Sequence, residues 1–240
     1  MDYEELNYGA LSREQQLASS QAFPVLMRKV YLWMTLALVI TGLTSYFVAT
    51  SPSMFMLLYS NQAILWGLLI AEFALVFGIT AAINKLSLTT ATLLFVLYSV
   101  INGATLSSIF LVYTTSSIAS VFFITAGTFA AMALFGYTTK KDLTALGPIL
   151  LMGLLGIIIA SVVNMFVHSS GLNLIVSYLG VLIFVGLTAY DSQKIKQMML
   201  QAPDAGEGMQ KLALLGALSL YLDFINLFLY LLRIFGSNRD

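Results

Sequence analysis

Seven stretches of the chain are nearly free of charge over the length of a membrane-crossing helix: 30–50, 63–84, 88–112, 117–138, 147–167, 173–191 and 212–232. A bilayer core of about 30 Å is crossed by about 20 apolar residues in a helix. Barrel strands would instead alternate polar and apolar residues over about ten positions. The pattern therefore predicts an all-α membrane protein. Residues 28–236 form its seven-helix transmembrane bundle, between a polar tail at 1–27 and a short polar tail at 237–240.

Charge placement orients the bundle. Arg13, Arg28 and Lys29 precede the first span, and the second, fourth and sixth loops carry Lys85, then Lys140 and Lys141, then Lys194, Lys196 and Lys211. The first, third and fifth loops carry no Lys or Arg. Basic loops stay on the cytoplasmic side, so the N-terminus and the even loops are predicted to be cytoplasmic. Seven crossings then place the C-terminus in the periplasm, together with Arg233 and Arg239. A re-entrant last segment would return those two arginines to the cytoplasmic side. The segment "MDYEELNYGALSREQQLASSQAF" (1–23) lacks the basic start and short apolar core of a cleaved signal peptide. It reads as a flexible cytoplasmic tail.

Composition agrees with burial in lipid: 59 % of residues are hydrophobic and 9 % charged, against roughly 25 % charged in a typical soluble domain. The mean hydropathy is +0.91. Zero net charge gives no reason to expect nucleic acid as a partner, and the absence of cysteine excludes disulfides, thiolate catalysis and zinc–sulfur sites. Small residues four apart, Gly127 with Ala131 and Gly156 with Ala160, predict close helix contacts.

The informative residues are the few polar ones inside the spans. An ionisable side chain at the centre of a membrane helix costs about 2.5–3.5 kcal/mol or more, so it faces a partner or a cavity. Glu72 and Asp223 lie deep by position, and Asp191 ends the sixth span. Ser219, Asp223, Asn226 and Tyr230 fall at spacings of four, three and four, on one stripe of the last helix. That stripe points into the bundle. Structural alternatives stand beside each functional reading. Asp223 and Glu72 would each serve as neutral, helix-packing acids, and Asp191 would pair with Lys194 three residues on. The lone His168 reads as a solvated loop residue.

The stretches "GLTAYDSQKIK" (186–196) and "LSLYLDFINLFLYLLRIFG" (218–236) resemble the Bax inhibitor family of transmembrane proteins, bacterial members above all. "GATLSSIFLVYT" in the third span and "YTTKKDL" after the fourth extend the likeness across all seven spans. The resemblance implies a bacterial inner-membrane bundle whose last helix is enclosed by the other six. It implies a pH-sensitive calcium leak whose sensor is a pair of aspartates, matched here by Asp191 in "AYDS" and Asp223 in "YLDF". A basic latch at the end of the second helix has Lys85 as its candidate here, although lysine lacks the bidentate fork of an arginine. Counting depth along ideal spans leaves the two aspartates about ten ångströms apart along the bundle axis, at about 1.5 Å per residue. Helix tilt, or a sixth span that continues past Asp191 with Lys194 and Lys196 snorkelling, would close that offset.

The favoured reading is a cation leak gated by a proton shared between Asp191 and Asp223. Calcium takes six to eight oxygens, so the two aspartates, Asn226, backbone carbonyls and water make a weak, transient metal site. A weak site suits an ion in transit. Glu72, Asn226 and Ser219 are further candidates for a polar pathway. No cofactor is implied; calcium enters only as the transported ion. Besides the lipid bilayer, the family likeness points to a regulatory alternative: binding membrane-protein partners such as proteases or stress and cell-death factors. Paired acids also fit an intramembrane aspartyl protease, but such enzymes carry Gly-x-Gly-Asp and Pro-Ala-Leu motifs that this chain lacks.

Overall fold

The computed structural model describes residues 3–239, with side-chain surroundings from residue 21 onward. Among them the chain forms nine helices and no sheet: α1 (Tyr3–Thr50), α2 (Pro52–Tyr59), α3 (Gln62–Ala82), α4 (Leu88–Leu106), α5 (Ile109–Val112), α6 (Thr115–Thr138), α7 (Leu146–Val167), α8 (Ser170–Leu200) and α9 (Glu207–Phe235). Seven segments are long and apolar enough to cross a membrane, with α4 and α5 together making the third. The chain is a multi-pass membrane protein.

Polar residues placed between apolar runs start the helices. Ser87 Oγ accepts the Thr90 N–H at 3.1 Å, Thr114 Oγ1 that of Ser117 at 3.3 Å and Ser169 Oγ that of Leu172 at 3.2 Å. Each bond satisfies one of the amides that a helix start leaves unpaired. α7 ends at His168, which takes a left-handed backbone conformation (φ 53°) and returns its N–H to Asn164.

The order of layers is a tertiary matter. In α9, 67 % of the membrane window is buried, against 39 % in α8 and 6 % in α3. α9 is the central helix. It packs extensively on α8, α1, α6 and α4, while α3 and α7 pack mainly on α4 and α8. The enclosing wall is thus four helices, with α3 and α7 forming an outer layer facing lipid. An extended aromatic cluster sits on one side of α9, where Phe224 meets Phe122 and Phe129 at ring-centroid distances of 5.4 Å each.

Several boundaries differ from those expected. Among the described side chains, Ala22, Leu26 and Met27 are already buried ahead of residue 28, and the helix runs from Tyr3 through most of the segment expected to be a flexible tail. α8 continues past Asp191 to Leu200, and α9 starts at Glu207 rather than at residue 212. Polar residues such as Gln193 and Gln197 break the apolar pattern there, yet the helix still packs: Ile195 and Met199 are buried, and so is Gln193, which accepts the Leu143 N–H at 2.8 Å and donates to the Lys141 carbonyl at 2.8 Å.

The last segment crosses fully. Beyond Phe235, the Thr114 N–H donates to the Ser237 carbonyl (3.1 Å) and the Arg239 N–H to that of Val112 (2.8 Å). The tail is therefore pinned to the third loop, at the end of the bundle opposite Lys85, Lys140 and Lys141. A re-entrant segment is inconsistent with this pairing.

Close approach is made by glycines other than those expected. A Cβ at Gly136 of α6 would stand 2.1 Å from the Ala189 carbonyl oxygen of α8, and one at Gly103 of α4 would stand 2.6 Å from the Thr41 oxygen of α1. Gly127 and Gly156, by contrast, have no atom within 4 Å of a Cβ position and are exposed. Small-residue spacing cannot tell a helix face turned to protein from one turned to lipid, because both are apolar.

Candidate functional site

Asp191 on α8 and Asp223 on α9 occupy the most extensive helix–helix contact of the bundle. Two landmarks set their register. A Gly216 Cβ would meet Ile195 at 3.1 Å, and a Gly180 Cβ would meet the Tyr230 ring at 2.6 Å. Following this antiparallel pairing places Asp191 near the level of Leu220. Asp223 is then about one turn away, about 5 Å at about 1.5 Å per residue. The expected offset of about ten ångströms is halved because α8 extends past Asp191.

Asp223 is 5 % exposed, and its Oδ2 has no hydrogen-bond partner among the described residues. Asp191 lies near it across the α8–α9 interface. Lys194 follows Asp191 by three residues, and its ammonium lies over the Tyr190 ring, 5.8 Å from the centroid. Lys196 turns away to α6, where it donates to the Tyr137 carbonyl at 2.7 Å. Ser192, next to Asp191, is also buried with an unpartnered hydroxyl, and Tyr31 of α1 lies beside it. Among the described residues no third acid or histidine joins the aspartates in a cluster fit to hold a metal. The arrangement keeps two carboxyls together in a desolvated setting, where like charges resist joint ionisation.

The other candidate residues divide. Asn226 is half-buried and donates to the Leu222 carbonyl of its own helix at 2.8 Å; Ser219 is half-buried on the same helix. Lys85 is exposed on the turn after α3. The helix ends at Ala82, and the turn at 83–85 carries the side chain outward. His168 is exposed, as expected.

Glu72 belongs to a second polar cluster. Its Oε1 is buried without a partner among the described residues, and Asn102 and Thr105 of α4 lie beside it. Asn102 accepts the Tyr221 hydroxyl proton at 3.0 Å, and the Tyr221 oxygen lies 2.7 Å from Thr41 Oγ1, which donates to the Ser99 carbonyl at 2.9 Å. Four helices, α1, α3, α4 and α9, thus meet through polar groups two residues away from Asp223. Tyr221 is fully buried between the rings of Phe95 and Tyr98. Sequence reading missed Tyr221, Asn102 and Thr41, since each is a common residue in a membrane helix. Their only sequence signal is that Tyr221 and Asp223 fall within one helical turn. Tyr221→Phe is expected to cost about 1–3 kcal/mol, the range for leaving buried polar partners unsatisfied. Thermal unfolding in detergent reads this, and Tyr46→Phe, at an exposed ring, should leave the midpoint unchanged.

Comparison with known proteins decides the family. The profile of the family described as Inhibitor of apoptosis-promoting Bax1 matches residues 24–240. The chain belongs to the Bax inhibitor family. It is 52 % identical over 214 residues to the Inner membrane protein YbhL of Escherichia coli (strain K12), covering 89 % of this chain and 92 % of that protein. An uncharacterized protein of Borreliella burgdorferi is 49 % identical over the same length, covering 89 % of this chain and 92 % of its own. Uncharacterized protein RP147 of Rickettsia prowazekii is 42 % identical over 216 residues, covering 89 % of this chain and 90 % of its own. The matched region takes in the first span from residue 24, the other six spans in full and both aspartates.

Proposed function

We propose that this Bax inhibitor family member is a pH-sensitive cation leak channel, with calcium as the transported ion and Asp191 and Asp223 as its sensor. The observation that carries this reading is the buried, unpartnered Asp223 carboxyl on the central helix, with Asp191 on the helix that faces it. A purely structural acid gains most from a hydrogen-bond donor, which would satisfy its lone pairs. A second acid instead makes its charge state depend on one shared proton. Deprotonation leaves negative charge that attracts a cation, and protonation removes it. The site is too poor in oxygens to retain calcium, which suits passage.

The aspartyl-protease reading is weaker. Leu220 is fully buried and Phe224 nearly so, so tight packing flanks the acid where a peptide strand would need room. A regulatory role through membrane-protein partners is compatible with a leak and is separated from it by function. Purified protein in liposomes is expected to pass calcium in a pH-dependent manner. Liposomes that remain tight across the whole pH range would favour the regulatory reading.

The proposed setting is a bacterial inner membrane, with the N-terminus and lysine-bearing loops cytoplasmic and the C-terminus periplasmic. The asymmetry of Lys and Arg supports it, as does the name of the YbhL relative. Reporter fusions after residue 141 and after residue 240 are expected to report cytoplasm and periplasm respectively. The same compartment at both positions would overturn the orientation.

A further inference from the structure

We propose that the cavity between α7, α8 and α9, at the end of the bundle away from the lysine-bearing loops, binds the phosphodiester head group of an anionic phospholipid. The cavity measures about 690 Å³ and opens between the last turns of α7, the first turns of α8 and the last turn of α9. Its cation is Arg233. The guanidinium stacks over the Tyr230 ring, 5.3 Å from the centroid, and donates to no protein acceptor among the described residues. The ring is itself fixed, seated on Gly180 and stacked on Phe184 with centroids 5.8 Å apart. A stacked guanidinium keeps its N–H edge free, and that edge matches two phosphate oxygens.

The rest of the lining fits one class of ligand. Ser161, Asn164, Ser169 and Asn173 supply uncharged polar groups, His168 adds an imidazole, and no Asp or Glu lines the cavity. The free amides at the start of α8 add a weak preference for an anion. Val162 and Met165 line the same space and are 51 % and 64 % exposed on the helix flank, where lipid chains run. Polar groups near the helix ends with an apolar wall opening sideways describe a head group joined to an acyl chain. An arginine that merely snorkels and complements the C-terminal helix dipole needs neither a cavity nor a fixed ring.

Native mass spectrometry of the full-length chain in detergent tests the site, with added phosphatidylglycerol or phosphatidylcholine. Phosphatidylglycerol is expected to be retained in preference to phosphatidylcholine. Arg233→Gln should weaken that retention roughly tenfold or more, the effect of losing one charge-assisted contact, and Arg239→Gln should not. Asn173→Leu, at an exposed position, should weaken it less, and it decides the matter should Arg233→Gln fail to fold. Equal retention of the two lipids by the unaltered chain overturns the proposal. So does undiminished retention in Arg233→Gln, or in Asn173→Leu where that variant decides. Full displacement of the lipid by millimolar inorganic phosphate would make this a site for a soluble anion and would equally reject a lipid site.

Discussion

Calcium flux through liposomes carrying Asp223→Asn is expected to be nearly flat between roughly pH 5 and 9, the window reached by carboxyls in desolvated sites. Asn preserves the size and a polar group while removing both the charge and the titrating proton. Asp191→Asn should flatten the profile as well, because the remaining aspartate no longer meets a like charge across the α8–α9 contact. The unaltered protein should change its flux by up to about tenfold per pH unit, the limit for control by a single shared proton. Residues acting as one unit are not additive, so the double variant should differ from either single one by no more than about twofold. Structural acids would behave otherwise: each substitution would shift the unfolding midpoint and leave the shape of the pH profile intact. Unchanged profiles in both single variants would reject the paired-aspartate sensor, while leaving the phospholipid site at Arg233 untouched.

Gly136→Ala is expected to be the most damaging single-methyl addition in the bundle. Its Cβ would stand 2.1 Å from the Ala189 oxygen and 2.8 Å from the Ala189 carbonyl carbon, and backbone cannot rotate aside as a side chain can. α6 and α8 must separate, and the gap forfeits packing on both sides. Overpacking of ordinary cores costs about 1–3 kcal/mol; a clash with backbone should reach or exceed the upper figure. Because Asp191 lies two residues beyond Ala189, the displacement also moves the sensor, so flux should lose part of its pH response. Gly127→Ala is the control. Nothing lies within 4 Å of its added methyl, and surface changes fall within about 0.5 kcal/mol. Thermal unfolding in detergent that gave equal midpoints for the two variants would mean that α6 and α8 do not approach so closely.

Both aspartates were legible in the sequence for different reasons. Asp223 stands out because an acid inside an apolar run is costly in lipid. Asp191 gains its meaning only from the family motif, since a helix end beside Lys194 is an ordinary place for an acid. Their pairing was legible through the family likeness and not through spacing. It depends on α8 running on to Leu200 and on the register set at Gly216–Ile195 and Gly180–Tyr230. Lys85 shows the converse: the family likeness offers it as a latch, and the turn after α3 leaves it exposed.

The number of spans, the placement of basic loops and the presence of costly acids follow from the sequence alone, because transfer of each segment into lipid depends on its own residues and hardly on its neighbours. Which helix lies at the centre does not follow from it. Lipid tails and packed side chains are both apolar, so a lipid-facing helix such as α3 and a protein-enclosed one such as α9 have the same kind of composition. Only contacts between segments distant in the chain separate them. They set Gly136 against Ala189, join Thr41, Asn102 and Tyr221, and turn Gly127 out to the bilayer.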